Sequence, residues 1–223
     1  MSNFFKILRE HGNDYHERNL SRFNDREKSQ FESLVAWMKP LCSKHKLTNM
    51  LEIGSGSCFV LNYLSKELSL KGYGVDPSDK ANRYASELYP DLKLFNGVSY
   101  DLSMFEEKSF DYIHLGFFLY LLDDKYYSKT VSEVNRVLKD GGYLSILDFD
   151  TPHKITKEYT HHKDLKKINK LDQSYPFRKT SLFTLINKIS FSEDGLHFNQ
   201  DVDQGMSVQL LFKEKETGSN EVI

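Results

Sequence analysis

Cysteine is nearly missing from these 223 residues. Cys42 and Cys58 are the only two, and they do not form a Cys-x-x-Cys pair. That excludes a disulfide framework and a thiolate metal site, and it suits a reducing compartment. Charge of one sign is missing too. The formal net charge is −2, so there is no broad basic footprint for a nucleic-acid partner. No apolar run approaches the length a membrane-crossing helix needs. Near the start, Arg9 and Glu10 fall where the apolar core of a secretory leader would continue. The expectation is a cytoplasmic chain with no nucleic-acid and no membrane partner. Internal repeats and low-complexity tracts are absent as well. What remains is ordinary for a globular protein: 39% hydrophobic and 28% charged residues. The length suits one domain with an elaboration and a sizeable core.

Against that background one stretch stands out, Leu51-Glu52-Ile53-Gly54-Ser55-Gly56-Ser57-Cys58. An apolar run ends at two glycines, and a helical pattern begins near Phe59. Glycine tolerates positive φ and lets a ligand approach the backbone. The free N–H groups of the following helix favour an anion such as a carboxylate or phosphate. Tyr73-Gly74-Val75-Asp76 reads as a second strand ending in a carboxylate, 20 residues after Gly56. A carboxylate there offers two acceptor oxygens to the hydroxyls of a ribose.

Residues 48–148 alternate short apolar strands with helices, which predicts a parallel sheet covered on both faces. Strands are expected near 49–53, 72–76, 92–95, 111–115 and 143–148, with helices near 58–69, 79–89 and 124–138. Alternation in 181–191 and 206–212 predicts two further antiparallel strands. Before the core, a short amphipathic helix around Phe4–Leu8 and a longer one over Asp25–His45 are expected, with a polar connection at Tyr15–Arg22. The domain reading is a helical cover over 1–46 and a main domain over 47–223. A polar insertion at about 151–179 interrupts the main domain.

The motifs together resemble the class I S-adenosylmethionine (SAM)-dependent methyltransferases. Glu52-x-Gly54-x-Gly56, Gly74-Val75-Asp76-Pro77-Ser78, Ser109-Phe110-Asp111-Tyr112-Ile113 and Val137-Leu138-Lys139-Asp140-Gly141-Gly142-Tyr143-Leu144 follow the family's order. Cys58 stands where that family usually has a third glycine. A nicotinamide-dependent dehydrogenase would want glycine at position 59, where this chain has Phe59. The resemblance implies an α/β fold: a Rossmann-like seven-stranded sheet with an antiparallel last strand, helices on both faces and the N-terminal helical cover. It implies SAM as cofactor, held by Glu52, Gly54, Ser55, Gly56, Asp76, Pro77, Val98, Ser99 and Leu115. Val98 takes the place of the family's acidic residue after the third strand, so Ser99 or the Val98 backbone would meet the adenine edge. It also implies an N-terminal segment folded over the cofactor, with Tyr15 and Arg18 reaching the methionyl carboxylate, which a guanidinium grips in bidentate fashion.

The same resemblance narrows the acceptor. No Asn-Pro-Pro-Tyr follows the fourth strand, no catalytic cysteine is present, and no acidic cluster suggests a metal. The expectation is a small-molecule acceptor and no metal. Tyr120 is placed to line the substrate pocket. Asp148-Phe149 with Pro152, Tyr159-x-His161 and Lys170-x-Asp172 loosely resemble bacterial methyltransferases of surface-polysaccharide and nucleotide-sugar pathways. That suggests a sugar acceptor, with His153, Tyr159 and Lys170 on the substrate side. A hydroxyl nucleophile benefits from a base, and histidine titrates near neutral pH. His161 or His162 is the first candidate, His114 the second and His153 the third. Two other classes stay open: a methyltransferase acting on RNA or protein, and a non-catalytic SAM-binding subunit.

Overall fold

The computed structural model describes residues 3–20, 29–162, 164–192 and 201–215. Five strands, β1 (Asn49–Ile53), β2 (Lys71–Asp76), β3 (Lys93–Asn96), β4 (Phe110–Gly116) and β5 (Leu138–Phe149), run parallel. Two more, β8 (Phe183–Ser192) and β9 (Gly205–Lys213), complete a seven-stranded sheet in the order β3-β2-β1-β4-β5-β9-β8. β9 is antiparallel to both of its neighbours. The order reverses between β1 and β4. In sheets of this kind that crevice, beyond the carboxyl ends of the strands, is where ligands bind.

Residue alternation along the strands builds two cores. Leu51, Ile53, Ile113, Leu115, Leu144 and Ile146 face one side, where α5 (Asp124–Val137) packs. Met50, Tyr112 and Tyr143 face the other, beneath α2 (Ser29–His45) and α3 (Phe59–Leu68). Between β2 and β3 lies α4 (Asp79–Leu88), capped by Ser78, whose hydroxyl accepts the Ala81 amide at 3.1 Å. Such a cap satisfies one of the orphan donors of the first turn.

The N-terminal expectation is corrected. A single helix, α1, runs Asn3–Asn19, so Tyr15 and Arg18 lie on a helix and not on a connection. The inward pattern of Phe4, Leu8, His11, Tyr15 and His16 continues at helical spacing, but imidazoles and a phenol carry it after the first turn. Gly12 does not break it, and α1 passes close to the start of α4 there. A Cβ at Gly12 would stand 3.1 Å from Ser78 Cβ. Ser21 and Arg22 lie outside the described residues, as does the expected start of the second helix at Asp25. β5 also begins earlier than expected. Leu138 already pairs with Phe110, and a register shift follows before Tyr112.

The expected insertion forms an antiparallel pair, β6 (Ile155–Glu158) and β7 (Lys167–Lys170), followed by a single helical turn, α6 (Tyr175–Arg178). No helix among the described residues is long and apolar enough to cross a membrane.

Candidate functional site

The glycine turn closes onto β2 through backbone bonds. The amides of Gly54 and Ser55 donate to the Val75 carbonyl at 2.9 and 3.3 Å. Gly54 and Gly56 have φ of +75° and +49°, which only glycine adopts freely. At Gly54 a Cβ would also stand 2.5 Å from Phe118 Cδ1. At Gly56 it would meet nothing within 4 Å, so bare backbone borders open space. Cys58, in the place of the third glycine, is itself left-handed at φ +59° and buried.

Asp76 faces this turn. One carboxylate oxygen accepts the Gly56 amide and the other the Ser78 amide, each at 2.8 Å. Asp76 is only 7% exposed. Burial raises its carboxyl to a pKa of about 6, against the pull of those two amides. It does not cap α4, since Ser78 does that.

α1 lies across the strand ends and is tied there by polar contacts. His16 Nδ1 and Ser57 Oγ are 2.7 Å apart in the buried turn. Asn13 Oδ1 accepts the Ser78 hydroxyl at 2.8 Å and the Lys80 amide at 3.2 Å. Glu17 pairs with Lys80 farther out. Between α1 and the strand ends is a cavity bordered by Glu52, the turn 54–57, Asp76, Pro77, Val98, Ser99, Gly116 and the aromatic segment 117–122.

On the sheet side, Glu52, His114 and Ser145 are register neighbours on three adjacent strands. Ser145 Oγ meets His114 Nδ1 and the Tyr112 hydroxyl, each at 2.7 Å. His114 Nε2 lies 4.0 Å from Glu52 Oε1. Burial pushes the His114 pKa down to about 3, so its imidazole is neutral at physiological pH.

The structure brings most of the sequence candidates together. Tyr15, Glu52, Gly54, Ser55, Gly56, Asp76, Pro77, Val98, Ser99, His114 and Tyr120 all border the cavity. Ser99 turns its hydroxyl to Thr130 Oγ1, 2.8 Å away. Other candidates are placed elsewhere. Leu115 points from β4 into the core, because its alternation parity is that of Ile113. Arg18 is an exposed residue on α1. His153 and His161 are exposed. His162 is buried but sits behind α1, its Nδ1 accepting the Asp164 amide at 3.3 Å. Lys170 donates to the Asp203 carbonyl at 2.7 Å, with its ammonium 3.9 Å above the Phe149 ring. Tyr159 does not border the cavity directly; its hydroxyl meets His11 Nε2 at 2.7 Å.

The residues that sequence reasoning missed are His11, Gly12 and His16 on α1, Phe117 and Phe118 after β4, and Asp148 at the end of β5. A continued helical pattern through Tyr15 would have found the first three. Of possible metal ligands among the described residues, Glu10, His162 and Asp164 bring three donor atoms within 4.8 Å of one another, outside the cavity.

Residues 51–146 match the model of a methyltransferase domain. That stretch is a methyltransferase domain, and the fold around it is the Rossmann-like fold of the class I SAM-dependent methyltransferases. The chain is 30% identical over 133 residues to a demethylmenaquinone methyltransferase of Listeria welshimeri; the match covers 55% of either protein. The chain thus spans about half the length of the relatives it matches in sequence. In fold, it resembles a putative methyltransferase of Haloferax volcanii solved with the Trm112 methyltransferase activator. That likeness has a TM-score of 0.68 and 16% identity, over 95% of this chain and 99% of the other. It also resembles 1,6-didemethyltoxoflavin-N1-methyltransferase of Burkholderia thailandensis, solved with bound 1,6-didemethyltoxoflavin and S-adenosylhomocysteine. There the TM-score is 0.60 and the identity 13%, over 90% of each chain. These relatives give no support to the sugar or polysaccharide expectation.

The cavity fits the family's cofactor, SAM, on observations internal to this chain. A nearly buried carboxylate stands beside a bare-backbone glycine, at the strand ends where the sheet order reverses.

Proposed function

We propose that this chain binds SAM in the cavity beneath α1 and moves its methyl group to a hydroxyl or amine of a small aromatic acceptor. The observation that carries the reading is Asp76, buried at the end of β2 and facing Gly56 across the turn. SAM supplies a methyl already activated on a sulfonium, so the protein has to hold the reacting groups in line and keep water out. Asp76 would accept the ribose hydroxyls. Gly54, Ser55 and Gly56 would present backbone to the methionyl part, with Tyr15 above it and the Glu52 carboxylate near its ammonium. Pro77, Val98 and Ser99 would enclose the adenine. α1 excludes solvent from above.

The acceptor class follows from the remaining walls. Leu8, Phe117, Phe118, Tyr120, Leu121 and Leu122 are apolar or aromatic. A nucleotide sugar, the acceptor expected from the sequence, needs a polar partner for each hydroxyl and phosphate, and of these side chains only Tyr120 offers one. A flat ring system is matched by them. The names of two relatives, for a demethylated menaquinone and a demethylated toxoflavin, agree with that class.

Incubation with SAM and either a dihydroxynaphthalene or a nucleotide sugar, followed by mass spectrometry, tests the reading. A methyl adduct is expected on the naphthalene compound, and undiminished formation with EDTA present. A methyl adduct on the nucleotide sugar alone would overturn the acceptor class.

A further inference from the structure

Three buried polar side chains cross the sheet beneath the cavity. Glu52 on β1, His114 on β4 and Ser145 on β5 stand side by side on one face. Glu52 and His114 both border the cavity, at 2% and 0% exposure. The His114 ring is fixed from two directions. Ser145 Oγ lies 2.7 Å from its Nδ1, and Phe31 of α2 packs edge-on, 6.4 Å away between centroids. Its other nitrogen, Nε2, has no hydrogen-bond partner among the described residues. That nitrogen faces Glu52 Oε1 at 4.0 Å. A buried polar atom left in this way calls for an explanation. Beside it, Gly116 keeps a small space open. A Cβ there would stand 3.1 Å from Glu52 Oε1, 3.6 Å from the Gly54 carbonyl oxygen and 3.8 Å from His114 Cδ2. Two acceptors and the edge of an imidazole therefore border one space, and that chemistry suits an ammonium.

The hydrogen positions follow from the same chain of contacts. A neutral imidazole carries one N–H, and burial keeps His114 neutral. The Tyr112 hydroxyl lies 2.7 Å from Ser145 Oγ. A phenol donating to that oxygen leaves the serine hydrogen for His114 Nδ1. The ring's own hydrogen then sits on Nε2 and points at a carboxylate. The other tautomer would turn a lone pair towards it. In a buried site an N–H dipole so directed stabilises the carboxylate without cancelling its charge.

We propose that His114 is a positioning residue for the amino-acid end of the cofactor: its Nε2–H holds the Glu52 carboxylate where the methionyl ammonium meets it. The inference rests on the SAM-binding reading above and adds a residue that acts through Glu52. The base role expected of His114 from the sequence is replaced by that of a fixed donor.

The test is titration calorimetry of the full chain with S-adenosylhomocysteine and with its deaminated analogue, which lacks only the ammonium. His114→Leu should bind S-adenosylhomocysteine about five- to tenfold more weakly than wild type, the share of one buried hydrogen bond. It should bind the analogue as wild type does. His114→Gln keeps a side-chain N–H and should recover most of the loss. In wild type, nitrogen NMR of labelled histidines should show His114 protonated at Nε2, with that resonance moved by S-adenosylhomocysteine and not by the analogue. Equal losses on both ligands, no loss on either, no recovery in His114→Gln, or a hydrogen on Nδ1 would overturn the inference and leave the cofactor reading standing. If wild type binds S-adenosylhomocysteine no better than the analogue, Glu52 does not receive the ammonium and the inference falls. If wild type binds neither, the cofactor reading falls with it. The NMR result needs no variant, so it decides for or against the inference even if His114→Leu fails to fold.

Discussion

Asp76→Ala is expected to weaken SAM binding by about ten- to a hundredfold. The carboxylate is nearly buried, and its two oxygens already order the glycine turn and the start of α4. A charge-assisted contact of this type is worth roughly 1.5–3 kcal/mol. Each 1.4 kcal/mol is about a factor of ten in affinity. Truncation also frees the Gly56 amide, so the turn loses part of its order before any ligand arrives. Isothermal titration calorimetry with SAM measures the effect. A dissociation constant equal to that of wild type would remove Asp76 from the site.

The second large effect is expected at Asp148, and it is one of stability. This residue ends β5, is 1% exposed and does not border the cavity. Its carboxylate accepts the amides of Leu119 and Phe149 at 2.9 and 2.7 Å. It thereby holds the segment 117–121, which supplies Phe117, Phe118 and Tyr120 to the cavity wall. In Asp148→Ala two buried amides lose their acceptor, at roughly 1–3 kcal/mol each. For a chain of this size each kcal/mol lowers the melting temperature by about 2–4 °C.

The pH dependence has a definite sign. Burial raises the Asp148 pKa from 3.8 to about 7. Its protonation is therefore favoured by folding. The associated stability is present at acid pH and is lost as pH rises through about 7. The gap between wild type and Asp148→Ala should accordingly be wider at the acid end of that window than above it. Thermal melts of both proteins at several pH values provide the comparison. Coincident melting curves would show that Asp148 does not organise the segment.

Much of this fold was legible because the strands are short, apolar and bounded by glycine or charge. β1 through β4 fall within two residues of the sequence expectation, and the last two strands were visible as alternation. β5 was underestimated because Gly141-Gly142 reads as a turn, whereas the strand runs through them with a register shift beside β4. The cofactor side was legible for a related reason. Gly54, Gly56 and Asp76 carry their chemistry in residue type and spacing alone.

The acceptor side was not legible in the same way. His161 and His162 drew attention because they are adjacent and polar. Only tertiary packing decides that His161 faces solvent and that His162 sits behind His11. His11 carries no motif in the sequence. It became a candidate once α1 was seen to lie over the strand ends, 148 residues away in sequence from its partner Tyr159. Asp148 was quoted as part of a motif, but its work is to accept amides from a segment that no sequence pattern connects to it.

The central claim is that the cavity between α1 and the carboxyl ends of the strands is the SAM site. Amide hydrogen exchange with and without S-adenosylhomocysteine tests it most directly, because it reports both binding and place. Protection is expected in the turn 54–57, at 76–78, at 97–99 and along α1 around Gly12–His16, with the β8 edge unchanged. Binding that protects other segments and leaves the turn and α1 exchanging as before would contradict the account.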